Sequence, residues 1–133
     1  MADGEARWAE MVDLRPDQLQ EIVDAAPVAY WPLGLIEHHG WSLPVGFDGF
    51  SAQRHCMAMV KRTGGVVLPV MWWGGAGGHG GFKWTFYQDR DAGAKILGDT
   101  VRRLIDFGFE AIVIFAGHYP WQVPRPNLPA PCS

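Results

Sequence analysis

The sequence has little cysteine, no excess of basic charge and no long apolar run, and each shortage argues against a class of protein. Only two cysteines occur in 133 residues, so a disulfide-stabilised scaffold has little support and reduced thiols fit a cytoplasmic protein. The formal charge is -3 and the 11 basic residues are scattered, which argues against a nucleic-acid partner. We therefore expect a protein that works without nucleic acid.

Membrane spans and signal peptides also lack support. No apolar run approaches the ~20 residues that cross a bilayer, and the N-terminal segment MADGEARWAEMVDLRPDQLQ is too polar for a secretion signal. Together with the cysteine content, this predicts a cytoplasmic protein with no membrane partner.

Two residue types are abundant instead: the chain contains 17 glycines and 7 tryptophans. The glycines cluster in WWGGAGGHGGF, where they allow the backbone to approach a ligand closely or to adopt positive φ. The tryptophans Trp72, Trp73 and Trp84 are interpreted either as an apolar wall for a small planar ligand or as core or subunit packing.

Apolar periodicity predicts three helices and three buried strands in the order αβαβαβ. The helices are expected to follow Pro16 as far as Pro27, to cover 51–64, and to cover 91–107 with Ala94, Leu97, Val101, Leu104 and Ile105 along one stripe. Continuous apolar runs at 28–36, 65–73 and 110–118 predict the strands. This alternation is typical of a three-layer α/β/α domain with a mostly parallel sheet.

We expect one α/β domain over residues 1–120. Its three strands make a thin sheet, so part of the usual fold is expected to be missing from these residues. Residues 121–133 contain repeated prolines, which predicts an irregular tail.

Each predicted strand leads into a segment that contains a histidine: His39, His79 and His118. Ligands of open parallel sheets bind beyond the carboxyl ends of the strands, so these imidazoles are expected on one rim. His79, within the glycine cluster, is predicted to contact substrate or to anchor the loop.

The segment EHHGWSLPVGFD offers Glu37, His39 and Asp48 from one loop. Carboxylates and imidazoles are the mixed ligands that Zn²⁺ and Mn²⁺ accept. The alternative is that both acids are solvated, with Asp48 capping the helix at 51, and that His39 makes an ordinary hydrogen bond. His118 follows Gly117, which permits close approach to a ligand, although a histidine here can also simply bond a backbone carbonyl.

These residues also carry a family resemblance. PLGLIEHHGWSLPVGFDGFSA resembles the N-terminal signature of the creatininase family, approximately P-x-G-x-x-E-x-H-G-x-H-L-P-x-x-x-D, and GFEAIVIFAGHYP resembles its later strand, which ends in N-G-H. The segment HGGFKWT sits where the family has H-x-x-F-x-G-T. The resemblance spans about residues 12–120, the N-terminal portion of the family fold.

The resemblance implies a homo-oligomeric hydrolase with two Zn²⁺ or Mn²⁺ ions that acts on a small cyclic amide or formamide, a non-peptide C–N bond. Asp48 would bridge the ions, Glu37 and His118 would bind one, and His39 the other. Water held between the ions would be the nucleophile, because two cations lower its pKa and polarise the carbonyl.

The chain also departs from the family pattern. Ser42 replaces a second histidine, Ala116 an asparagine, Trp84 a glycine, and Pro120 a glutamate that binds the second metal in creatininase. A downstream motif like H-A-G-E-x-E-T has no counterpart in these residues. The alternative is therefore a catalytically inactive or truncated creatininase-like module that retains a partial metal site.

Overall fold

The computed structural model describes residues 6–75 and 77–118. In order, its elements are β1 (Trp8–Glu10), a 3-10 helix (Met11–Asp13), α1 (Pro16–Ala25), β2 (Val28–Leu33), α2 (Phe47–Thr63), β3 (Gly65–Val67), α3 (Arg90–Asp106) and β4 (Ala111–Ala116). None of the helices within these ranges has both the length and the apolar character that a bilayer span requires. The tail predicted at 121–133 lies outside the described residues.

The four strands form one parallel sheet in the order β1-β3-β2-β4. Helices cover both faces of this sheet. Consecutive residues of β2 point to opposite faces and pack in two different hydrophobic clusters. Trp31 packs in a cluster with residues of α1 and α3, whereas Tyr30 packs with Cys56 and Val60 of α2. The predicted three-layer α/β/α architecture is confirmed.

The strand predicted at 110–118 was expected to be buried, and that expectation is wrong. β4 pairs only with β2 among the described residues, and its side chains are exposed or half-buried. Ile114, in the middle of the strand, is 43% exposed. A continuous apolar run therefore predicted the strand correctly but not its position at an edge, where only part of each side chain is covered.

Other boundaries also differ from the sequence-based expectation. β3 ends at Val67 rather than 73, because Pro69 cannot donate a ladder hydrogen bond and only an isolated bridge between Leu33 and Met71 continues the pairing. β1 has three residues and was not anticipated. α3 agrees closely, with Leu97, Val101 and Leu104 buried, but Ile105 is half exposed.

Candidate metal centre

The carboxyl edge of the sheet brings together side chains that are far apart in the chain. Glu37 follows β2, Asp48 lies in the first turn of α2, and His118 follows β4. His118 Nδ1 lies 3.0 Å from Asp48 Oδ2 and 3.0 Å from Glu37 Oε1. All three residues are buried. The gathering of these residues into one pocket, expected from a parallel sheet, is therefore present.

Asp48 was expected in a loop or as the cap of a helix starting at 51, and both expectations are wrong. α2 begins at Phe47, and its N-cap is Gly46. The helix therefore begins before residue 51, and glycines let its first turn pack directly against the edge of the sheet. A Cβ on Gly117 would lie 2.1 Å from the Asp48 carbonyl oxygen, and a Cβ on Gly34 would lie 2.4 Å from the Gly49 Cα. Gly117 was expected to let a ligand approach closely, but the group that approaches it is the backbone of α2 at Asp48.

His39 is held with its ring between a carbonyl and a carboxylate. Its Nδ1 lies 3.0 Å from the carbonyl oxygen of Glu37, and because a carbonyl only accepts, Nδ1 carries the hydrogen. Its Nε2 lies 2.9 Å from Asp48 Oδ1. In a neutral ring that nitrogen is a lone-pair acceptor facing a carboxylate, so the pair requires either a proton or a cation between its two atoms.

The two carboxylate oxygens of Glu37 have different neighbours. Oε1 faces His118 at 3.0 Å and His39 Nε2 at 3.5 Å. Oε2 accepts a hydrogen bond from the Tyr87 hydroxyl at 3.0 Å and lies 3.6 Å from His79 Nδ1. His79 is half exposed, so it stands at the rim of the cluster, as expected. Tyr87 was not anticipated, because no local motif links it to a residue fifty positions earlier.

The electrostatics of Asp48 reflect this crowding. Burial alone raises the pKa of its carboxyl, but the hydrogen bond with His118 and the nearby charge of His39 outweigh it and leave the pKa below the usual value. The group is therefore an anion at neutral pH despite being only 5% exposed.

The other aromatic residues noted in the sequence have different environments. His38 points away from His39 and stacks on Phe82 with ring centroids 4.9 Å apart. Trp72 packs across Gly49 and against Phe50, which fits the packing interpretation, whereas Trp73 and Trp84 are exposed. Trp84 has φ of +72°, a conformation that is costly for a bulky residue.

The donor set suits a divalent cation. Ligand atoms of Glu37, His39 and Asp48 lie within 4.8 Å of one another, and His118 contacts both carboxylates. Buried carboxylates are stable only when paired or bound to a cation, and mixed oxygen and nitrogen ligands are those of Zn²⁺ and Mn²⁺. The residues present fit such an ion.

Residues 13–124 match the family model described as creatininase, creatinine amidohydrolase. The chain belongs to the creatininase family. The match covers both signatures noted in the sequence and most of the described fold.

Solved creatininases share this architecture. A creatinine amidohydrolase structure is 25% identical, with a TM-score of 0.77 over 86% of this chain and 46% of its own. A mutant creatininase of Zn-Zn type is 24% identical, with a TM-score of 0.78 over 88% of this chain and 47% of its own. A creatininase titled with Mn is 24% identical, with a TM-score of 0.77 and coverages of 86% and 46%.

The present chain thus spans about half the length of the creatininases it matches. Among curated proteins, no sequence matches it significantly.

Proposed function

We propose that this chain binds Zn²⁺ or Mn²⁺ through Glu37, His39, Asp48 and His118 and hydrolyses a small cyclic amide or formamide. The observation that carries the proposal is the position of Asp48: Oδ1 lies 2.9 Å from His39 Nε2 and Oδ2 lies 3.0 Å from His118 Nδ1. A buried carboxylate with an imidazole at each oxygen suits an acid that bridges two cations. Glu37 Oε1 and His118 would complete one subsite, and His39 would belong to the other.

The donor set and the family support Zn²⁺ or Mn²⁺ as the metal. Relatives are described as a Zn-Zn form and a Mn form, and both ions accept these ligands. When bound, such a cation lowers the pKa of a water ligand and polarises an amide carbonyl.

The chain's own residues would supply the rest of the reaction. The buried carboxylates of Glu37 and Asp48 would provide negative charge for the cation. His79 Nδ1 lies at the rim, 3.6 Å from Glu37 Oε2, where a side chain that is half exposed can reach a substrate. We assign His79 as the candidate catalytic residue, which contacts the substrate or anchors the glycine-rich loop over the site.

A second function is favoured by specific departures from the family pattern. Pro120 stands where creatininase has a glutamate that binds the second metal, and Ser42 stands where the family usually has a second histidine. The alternative is a creatininase-like module that retains a partial metal site and has no turnover. Homo-oligomer formation, implied by the family resemblance, remains a prediction under both functions.

Metal stoichiometry and turnover, measured on the same preparation, test the two functions. Inductively coupled plasma mass spectrometry of dialysed protein is paired with a hydrolysis screen on creatinine and formamides. The hydrolase predicts two Zn²⁺ or Mn²⁺ per chain and loss of both metal and turnover in Asp48→Ala. The inactive module predicts at most one ion and no turnover. Asp99→Ala, an exposed acid on α3, is the matched control and should behave as wild type.

A stoichiometry near zero in the wild-type chain would defeat both metal-based functions. Retention of metal by Asp48→Ala would contradict the assigned ligand set even if turnover is found.

A further inference from the structure

Tyr87 occupies a central position between the metal cluster and the glycine-rich segment. Its hydroxyl donates to Glu37 Oε2 at 3.0 Å and accepts from the backbone N–H of His79 at 3.4 Å. At Gly77, where φ is +129°, an added Cβ would lie 2.7 Å from the same hydroxyl. The glycine-rich backbone therefore packs directly against this oxygen, and a single phenol connects the loop to the carboxylate.

The fold holds the tyrosine in place from both sides. The N–H of Phe86 donates to the carbonyl of Ile36 at 2.8 Å, and the N–H of His38 donates to the Thr85 hydroxyl at 3.0 Å. These bonds align residues 85–87 with residues 36–38, so Tyr87 is brought opposite Glu37. At the far end, the N–H of Gln88 donates to the Gly74 carbonyl at 2.8 Å and closes the loop.

The hydrogen bond from Tyr87 gives the two oxygens of the Glu37 carboxylate different partners. With Oε2 occupied by the Tyr87 hydroxyl, Oε1 is the oxygen that faces His118 and His39. Carboxylate ligands in metal sites are usually oriented in this way by a hydrogen-bonding neighbour. A phenol hydroxyl carries its proton at neutral pH, so Tyr87 donates to this carboxylate.

We propose that Tyr87 is a positioning residue of the metal centre: it directs Glu37 to bind the cation through Oε1 and secures the segment that carries His79 beside the same carboxylate. The inference rests on the proposed metal-binding function. It implies that the cluster and the glycine-rich loop are coupled through one hydroxyl, so that loss of this oxygen affects both metal affinity and the placement of His79.

The test compares two variants that each delete one phenolic oxygen, Tyr87→Phe and Tyr30→Phe. Tyr30 is the matched control, because it is buried and its hydroxyl makes a hydrogen bond of 2.7 Å with Thr63. Thr63 ends α2, and at ~1.5 Å per residue it lies about 22 Å along the helix from Asp48. Zn²⁺ affinity is measured by competition with a chromophoric chelator, and the Co²⁺-substituted protein is examined by its visible absorption spectrum. Hydrogen exchange of residues 77–81 is followed in the metal-free chain.

The expected result for Tyr87→Phe is a loss of Zn²⁺ affinity of about 10–100-fold, the usual effect of removing such a neighbour, with an altered Co²⁺ spectrum and faster exchange at His79. Tyr30→Phe should retain the wild-type affinity and spectrum. A Co²⁺ spectrum reports the ligand geometry, which a general loss of stability does not change.

The outcomes separate the two proposals. If wild type binds Zn²⁺ and Tyr87→Phe matches it in affinity and spectrum, the positioning role is overturned and the metal site stands. If wild type binds neither Zn²⁺ nor Co²⁺, both proposals fall. If both Tyr→Phe variants lose affinity equally, the effect comes from the fold as a whole and the role of Tyr87 is again overturned.

Discussion

Asp48 on α2 and Asp99 on α3 are two acids whose pKa lies below the ordinary value in very different surroundings. Asp99 is exposed, and the hydrogen bond from Arg102, followed by that from Lys95, lowers its pKa. Asp48 is buried, which raises its pKa, and the low value results from His118 and His39. One acid is stabilised by flexible cations in water, and the other by imidazoles inside the protein.

The contrast shows where the molecule accepts an energetic cost. Exposed ion pairs contribute little because water and salt screen them, and they can change without consequence for a site. Burying two carboxylates beside each other is costly, and packing alone does not require it. The buried position of Asp48, and not its low pKa, therefore distinguishes it from a surface acid such as Asp99.

The largest effect should come from adding metal. A ligand that binds only the folded state stabilises it by about 2.7 kcal/mol at a hundred times its Kd. Zn²⁺ is expected to raise the Tm of wild type and Asp99→Asn equally and to leave that of Asp48→Asn unchanged. Thermal unfolding by circular dichroism, with and without Zn²⁺, measures this. Equal stabilisation of Asp48→Asn would remove the distinction between the two acids.

Gly117→Ala should have the next largest effect on stability, because it displaces the backbone that carries Asp48. The new Cβ would lie 2.1 Å from the Asp48 carbonyl oxygen, and relieving such an overlap in a packed region costs about 1–3 kcal/mol. The control is Gly93→Ala on α3, where a Cβ meets nothing within 4 Å. Alanine there should stabilise by up to about 1 kcal/mol, since glycine disfavours helix.

Urea unfolding of the two glycine variants gives opposite signs if this interpretation is correct. Gly117→Ala should also weaken Zn²⁺ binding, because Asp48 must shift with its backbone. A Gly117→Ala protein as stable as wild type would mean that α2 can move away from β4 at little cost.

The sequence predicted the helices and the general fold because periodicity is local. Leu97, Val101 and Leu104 mark α3 without any knowledge of its partners. β1 escaped notice because a strand of three residues is too short to carry a periodic signal, and among the described strands it pairs only with β3.

The candidate metal cluster was predictable only in part. Glu37, His39 and Asp48 stand close in sequence, and His118 was expected on the same rim because it follows a predicted strand; the family resemblance then implied that it is a ligand. The helical position of Asp48 depends on Gly34 and Gly117, which let backbone segments touch, and on Gly49, which leaves room for the Trp72 ring; these are tertiary contacts. Tyr87 could not be predicted from local sequence for the same reason. Its contact with Glu37 depends on hydrogen bonds between residues 36–38 and 85–87.

The smallest expected effect is the change in unfolding free energy that acid and salt cause through each of the two aspartates. Each pKa is lowered by folding, so each acid stabilises the fold above its unfolded pKa of 3.8, and this contribution is lost as the pH falls through the folded value. At pH 5 both contributions are present. For Asp99, 1 M NaCl should abolish the contribution, because the screening length is then about 3 Å.

Urea unfolding of wild type, Asp48→Asn and Asp99→Asn at pH 5 and pH 3, in low salt and in 1 M NaCl, measures the difference. Asp99→Asn should differ from wild type only slightly in low salt and not at all in high salt. For Asp48→Asn, the pH-dependent difference from wild type should persist in high salt, because buried pairs are screened much less. If salt removed both differences alike, Asp48 would behave as a surface acid, and the contrast between a solvated ion pair and a buried cluster would not hold.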